Sequence, residues 1–180
     1  QLIAEISALM VFEMTKKFPI RNVAVETPLG KNARGYRLAR RVALVPIWRA
    51  GLGMLEGVHR LIPSAGVGHI GIYRDEVTLQ PVEYFCKLPP NLAEVETIVM
   101  DPMLATGGSA AHAVDLCKRA GAKHISFLCL LAAPEGCERF FSSHPATPVF
   151  TAALDDRLNS RGYILPGLGD AGDRLYGTEK

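Results

Sequence analysis

Between Asp101 and Ser109 the chain reads Asp-Pro-Met-Leu-Ala-Thr-Gly-Gly-Ser, directly after the apolar run Ile98-Val99-Met100 and directly before a helical pattern. That order of residue types suits an anion. Gly107 and Gly108 let backbone N–H groups converge without side chains in the way, and Thr106 and Ser109 add hydroxyl donors. A helix start contributes unpaired N–H groups and a partial positive charge. Asp101, at the carboxyl end of the expected strand, stands where open α/β sheets bind ligands, and a carboxylate there can accept from two neighbouring ribose hydroxyls. A plain strand-to-helix turn capped by Ser109 has the same composition, so the loop alone leaves both readings open. No lysine follows the glycines, which sets the run apart from a Walker loop.

Two arginines extend the chemistry. Arg49 follows the apolar run Val42–Ile47, and Arg74 follows the run Val67–Tyr73. Both are expected at carboxyl ends of parallel strands, where a planar guanidinium can donate in pairs to phosphate oxygens. Each could instead do no more than cap its strand or pair with Glu56 or Asp75. The segment from Gly162 to Gly172 is glycine-rich and stiffened by Pro166, so its backbone can approach a flat ring and read a carbonyl and N–H edge.

The elements that must position these groups follow from periodicity. Leu2, Ile3, Ile6, Leu9, Met10 and Met14 recur at helical spacing and predict an amphipathic helix ending near Phe18-Pro19. An extended pair is expected around Val23–Val25 and Tyr36–Leu38. Strands are expected over Val42–Ile47, Val67–Tyr73, Thr97–Met100, His124–Leu131 and Pro148–Ala153. Helices are expected over Gly53–Leu61, Ser109–Ala120 and Pro134–Ser142, the second stopped by Gly121. The polar stretch Arg74–Pro90 reads as an excursion, and Leu154–Lys180 as an irregular tail. Alternating short apolar runs and helices predict a mainly parallel sheet covered on both faces, in one domain over residues 1–180.

Composition excludes several classes. With 180 residues, 48% hydrophobic, 21% charged and a net charge of +2, the chain lacks the concentrated basic stripe of a nucleic-acid binder. No apolar run approaches the roughly 20 residues that cross a bilayer. The first residues already carry helical periodicity with internal charge, so no signal peptide is expected, and the start without methionine leads us to expect a preceding extension. Cys86, Cys117, Cys129 and Cys137 have no CxxC spacing and are expected as free thiols in a reducing, cytoplasmic setting. The five histidines show no paired metal spacing. Gly51, Gly53 and Gly57 approach a dinucleotide fingerprint, but the third glycine falls one residue late.

The loop DPMLATGGS resembles the phosphoribosyl-pyrophosphate (PRPP) loop of type I phosphoribosyltransferases, in the form of the uracil phosphoribosyltransferase family. The resemblance covers nearly the whole chain, through EISALM (Glu5–Met10), RAGLGM (Arg49–Met54), YRDE (Tyr73–Glu76), KLP (Lys87–Pro89), AAPEG (Ala132–Gly136) and GYILPGLGDAGDRLYGT (Gly162–Thr178). It implies transfer of ribose 5-phosphate from PRPP to uracil, giving UMP and diphosphate in pyrimidine salvage. By the same resemblance Arg49, Arg74, Asp101, Pro102, Met103, Leu104, Ala105, Thr106, Gly107, Gly108, Ser109 and Asp170 bind PRPP. Ile164, Gly169, Asp170 and Ala171 contact uracil. Arg74, Asp101 and Asp170 carry the catalytic roles, and residues 74–90 form a hairpin over the site. Many phosphoribosyltransferase loops carry two adjacent acids, whereas Asp101 is followed by Pro102. Magnesium is therefore expected to arrive mainly through PRPP, with no protein metal cage. Trp48 and Cys86 also depart from the family's pattern, without removing a charge the chemistry needs. The family implies a homodimer or larger homo-oligomer and, in some members, GTP as an allosteric effector. The competing reading is a regulator of the same fold that binds PRPP or nucleotide without turning it over.

Overall fold

A computed structural model describes residues 1–30, 32–74 and 81–178, with Arg74 described by its backbone alone. In chain order the elements are α1 (Leu2–Thr15), β1 (Ile20–Glu26), β2 (Asn32–Leu38), β3 (Arg41–Trp48), α2 (Leu52–Leu61), β4 (Gly66–Val67), β5 (His69–Arg74) and β6 (Pro81–Lys87). They continue through a short 3₁₀ turn (Leu92–Glu94) to β7 (Val95–Met100), β8 (Met103–Leu104), α3 (Gly108–Arg119), β9 (His124–Ala132), α4 (Pro134–Ser143) and β10 (Val149–Leu154). The chain then forms β11 (Arg157–Leu158), β12 (Ile164–Leu165) and α5 (Ala171–Tyr176).

The central sheet runs β10-β9-β7-β3-β5-β6, with β4 beside β3 and β8 beside β9. Every pairing in it is parallel except β5 with β6. The β6 strand lies inside the polar stretch expected as an excursion, and its pairing with β5 makes that region a hairpin; positions 75–80 fall outside the described residues. The expected strand Val67–Tyr73 is split at Gly68 into β4 and β5, which both lie beside β3.

Alternation along the strands explains the two-sided core. Ala43, Val45, Ile47, Val99, Phe127 and Cys129 face α3 and α4, where they meet Ala113, Val114, Cys117 and Phe140. Val42, Leu44, Ile98, Met100, Leu128 and Leu130 face α1 and α2, where they meet Val11, Met14, Met54 and Val58. Strands buried on both faces read as continuous apolar runs, as these do. Gly57 lies so close to the Ala4 backbone that a β-carbon there has no room. The glycines that resemble a dinucleotide fingerprint thus serve, in part, helix-to-helix packing.

Two expectations need correction. The inward stripe of α1 passes through Ile3, Ser7, Val11 and Met14, with the Ser7 hydroxyl donating to the Ile3 carbonyl at 2.7 Å. Leu2 and Leu9, assigned to the apolar face, are 72% and 71% exposed, because the helix is apolar nearly all round and a single stripe cannot hold it. The tail is also more ordered than expected: β11 and β12 form a small antiparallel pair and α5 follows, capped by the Asp170 carboxylate. Among the described residues no helix is long and apolar enough to cross a membrane.

Candidate active site

The site lies at the carboxyl ends of β3, β5 and β7. β7 ends at Met100, and the next nine residues wrap into the start of α3. Gly107 is the N-cap, at φ +76°, a backbone conformation that disfavours side chains. Ser109 therefore sits inside the first turn and is not the cap. The loop is locked from below by α4. A β-carbon on Gly107 would meet the Gly136 carbonyl at 2.6 Å, and one on Gly136 would overlap the carbonyls of Leu104 and Ala105. From Asp101 to Ser109 the loop encloses a cavity of about 80 Å³ lined by Asp101, Met103, Ala105, Thr106, Gly107 and Ser109. Leu104 also borders it, whereas Pro102 is buried and holds β9 by accepting from the N–H groups of Leu130 and Leu131. Gly108 is buried as the first residue of α3.

Asp101 sits at the centre of the wider depression. Together with Ala105, Ser109, Asp170 and Ala171 it lines a cavity of about 340 Å³ that also touches Arg161 and Tyr163. With Arg49, Ser109 and Asp170 it lines a neighbouring cavity of about 340 Å³, bordered by Tyr73 and Tyr84. Shared walls make these one continuous hollow. Burial pushes the Asp101 carboxyl up to about 7; the Met103 backbone N–H pulls it back, and the charge of Asp170 adds to the rise. A site that raises a carboxylate in this way is one that a cationic ligand relieves.

Asp170 caps α5 by accepting from the Asp173 N–H at 2.9 Å. Arg49 follows a cis peptide bond after Trp48, and its guanidinium reaches α5, donating to Asp173 at 3.0 Å and Thr178 at 3.2 Å. Its carbonyl accepts from the Tyr176 hydroxyl at 3.2 Å. The arginine thus faces the hollow while tied to its far wall. Arg74 ends β5 beside it in the sheet, but its side chain lies outside the described residues.

Of the residues expected at the base, Asp170 and Ala171 line the hollow. Ile164 is only 2% exposed and lies beneath the hollow, not on its open wall. Gly169 stands at φ +76° with open space around its α-carbon. The turn between β11 and β12 is shaped by Asn159, whose side chain accepts from the N–H groups of Arg161 and Tyr163. Three side chains hold this cover in place: Asp155 accepts from Gly167 N–H at 3.0 Å, Glu135 accepts from Leu158 N–H at 2.9 Å, and Arg174 donates to the Leu168 carbonyl at 3.0 Å. The Leu158 N–H also holds the Glu135 carboxyl below its ordinary range.

The motif AAPEG thereby gains a physical account. Pro134 starts α4, Glu135 holds β11 and Gly136 admits the loop Asp101–Ser109, so three consecutive residues register both sides of the hollow. Sequence reasoning missed Tyr73, Tyr84, Arg161 and Tyr163. Tyr73 and Tyr163 lie inside the motifs YRDE and GYILPGLGDAGDRLYGT, which could have pointed to them; nothing local marks Tyr84.

Among the described residues no group of three or more His, Cys, Asp or Glu side chains could hold a metal ion by itself. Asp101 and Asp170, two carboxylates on one hollow, nonetheless fit a divalent ion that brings most of its own oxygen ligands.

Comparison with known proteins now identifies the family. The family model for uracil phosphoribosyltransferase matches residues 1–178. A uracil phosphoribosyltransferase from Clostridium perfringens is 55% identical over 179 residues, spanning 99% of this chain and 86% of that protein. One from Ureaplasma urealyticum is 54% identical over 97% of this chain and 84% of its own length. A solved structure from Aquifex aeolicus superposes with a TM-score of 0.93 at 38% identity, covering 98% of this chain and 85% of that one. The APRTase of Giardia lamblia, solved with 9-deazaadenine, shares the fold alone, with a TM-score of 0.58 at 17% identity over 84% and 79% of the two chains. This chain belongs to the uracil phosphoribosyltransferase family.

Proposed function

We propose that the chain joins uracil to the ribose 5-phosphate of PRPP, releasing diphosphate and forming UMP. The observation that supports this reading is that Asp101, Ser109, Arg49 and Asp170 border one hollow although they come from three separate stretches of sequence. The loop Ala105–Ser109 holds the 5-phosphate through backbone N–H groups and hydroxyls, and Asp101 accepts from the ribose hydroxyls. Uracil lies against Ala171 and Gly169, with Ile164 packed beneath them. There, a cytosine amino group in place of a carbonyl would set donor against donor.

Uracil N1 attacks the anomeric carbon as the bond to the diphosphate oxygen breaks, and the electron pair of that bond leaves with diphosphate. Asp170 receives the N1 proton. Arg49 and Arg74 take up the charge of the leaving group, and positioning within a water-poor site supplies the rest. Magnesium, held by the donor's oxygens with Asp101 and Asp170 nearby, would supply further positive charge to the diphosphate. The hairpin of β5 and β6 shields the ribose centre from water. The exposed apolar residues Leu2, Leu9 and Phe12 on α1 support self-association into a homo-oligomer. GTP as an effector and a cytoplasmic setting belong to the same proposal through the family.

The test follows diphosphate release from PRPP with magnesium and uracil, cytosine, hypoxanthine or no base. Release with uracil alone, accompanied by UMP, is the expected result. PRPP binding without release for any base would overturn the catalytic reading.

A further inference from the structure

The antiparallel pairing of β5 with β6 is interrupted once. Gly71 pairs with Phe85 and Ile72 with Glu83, so Tyr84 is an extra residue on β6, a β-bulge. A bulge reverses which face the following side chains occupy and re-aims the extra one. Phe85 is turned onto Trp48, with the rings stacked at 4.9 Å and 6° apart. Trp48 is itself fixed by donating from Nε1 to His69 Nδ1 at 2.9 Å. Tyr84 is left to lie across β5 at Gly71, where a β-carbon would sit 2.6 Å from both Cε2 and Cζ of the ring. Only a residue without a side chain lets the hydroxyl-bearing end of Tyr84 rest there. The ring borders the same cavity as Arg49, Asp101, Ser109 and Asp170, with Tyr73 beside it at 6.2 Å between centroids. Tyr84 is 53% exposed.

We infer that Tyr84 is a donor-binding residue, its phenol donating to a diphosphate oxygen of the sugar-phosphate substrate while the ring walls the ribose side of the cavity. This rests on the reading of the hollow as the PRPP site and adds a residue to it. The bulge is the device that delivers the ring, and Gly71 is the positioning residue that leaves it room. A phenol suits the task because it contributes a directional donor on a stiff side chain with few rotamers to lose. It reaches from the arm, whereas the loop from Asp101 to Ser109 holds the opposite, 5-phosphate end.

The test is steady-state kinetics on Tyr84→Phe, Tyr84→Ala, Gly71→Ala and the double variant, alongside the unaltered protein. A hydrogen bond to a charged phosphate is expected to change affinity by roughly tenfold. Tyr84→Phe keeps the packing and is expected to raise the KM for PRPP about tenfold, leaving the KM for uracil within about twofold. Gly71→Ala, which displaces the ring, is expected to reproduce Tyr84→Ala, and the double variant to be no worse than either alone. An unchanged PRPP KM in Tyr84→Phe overturns the hydroxyl contact, and additive effects of Gly71→Ala and Tyr84→Ala overturn the positioning role. If the unaltered protein forms no UMP, the proposed function has failed. If it forms UMP and Tyr84→Phe matches it, this inference alone has failed.

Discussion

The phosphate loop and the base cover face each other across one hollow, and they are built in opposite ways. The loop is continuous with a buried strand, paired through β8 to β9 and held from beneath by backbone-to-backbone approaches at Gly107 and Gly136. The cover has two strands of two residues each and hangs on single side-chain anchors at Asp155, Glu135 and Arg174. A phosphate has one shape and can be met by a fixed cradle. A base must enter and a nucleotide must leave, and such motion draws on the least stable parts of a structure.

The largest effect expected from breaking this contrast is at Gly136. Gly136→Ala forces its β-carbon against the loop carbonyls, and we expect turnover to fall at least about 100-fold with a stability loss of about 1–3 kcal/mol. Kinetics and denaturant unfolding check this; a variant that raised only the uracil KM would show that the loop yields as readily as the cover.

Asp101→Asn is expected next, lowering kcat/KM by roughly 100-fold while leaving the fold intact. It also has a signature in pH. The Asp101 carboxyl lies at about 7 in the folded chain, against about 3.9 unfolded. Its contribution to stability is therefore fully present below about pH 4 and is lost as pH rises through about 7. In unfolding titrations of ligand-free protein, the unaltered chain is expected to weaken by about 2 kcal/mol relative to Asp101→Asn between pH 5 and pH 8. That is less than the whole shift would give, because the side chain is partly open to water. Equal pH slopes in the two proteins would show that the carboxyl is not shifted.

Smaller effects belong to the cover. Glu135→Ala removes one anchor of β11 and is expected to raise the uracil KM about fivefold with the PRPP KM within about twofold. Glu135→Gln, which keeps an acceptor, should fall between. Equal rises in both constants would mean that the two halves of the site are not separable. The smallest effect is expected at Asp173→Asn, which weakens a solvent-exposed ion pair with Arg49. Stability should move by no more than about 0.5 kcal/mol, measured by thermal unfolding, and a larger loss would make α5 a structural brace.

What was legible in the sequence follows the same division. The loop could be read because its signal is local: an apolar strand, an acid at its end, glycines and a helix start lie within a dozen residues. The two core faces could be read from unbroken apolar runs. Helix α1 misled because its core stripe passes through Ser7, whose hydroxyl is satisfied within the helix and hides the pattern. Helix α5 was missed because Asp170 and the glycines before it resemble an open loop, and only the cap shows a helix beginning. Tyr84 and Glu135 were invisible for a deeper reason. The bulge exists only once β6 pairs with β5, and the Glu135 anchor only once α4 meets β11, and neither pairing is written in nearby residues.

The tie between Arg49 and Asp173 joins positions 124 residues apart. At about 5–20 residues per second, a ribosome needs roughly 6–25 seconds to travel between them. By the end of that interval the sheet through β10 and the loop from Asp101 to Ser109 have been made, yet the wall that holds Arg49 has not. A fragment released earlier would carry the cavity of the loop but lack the wall that Asp170, Ala171 and Gly172 give the hollow.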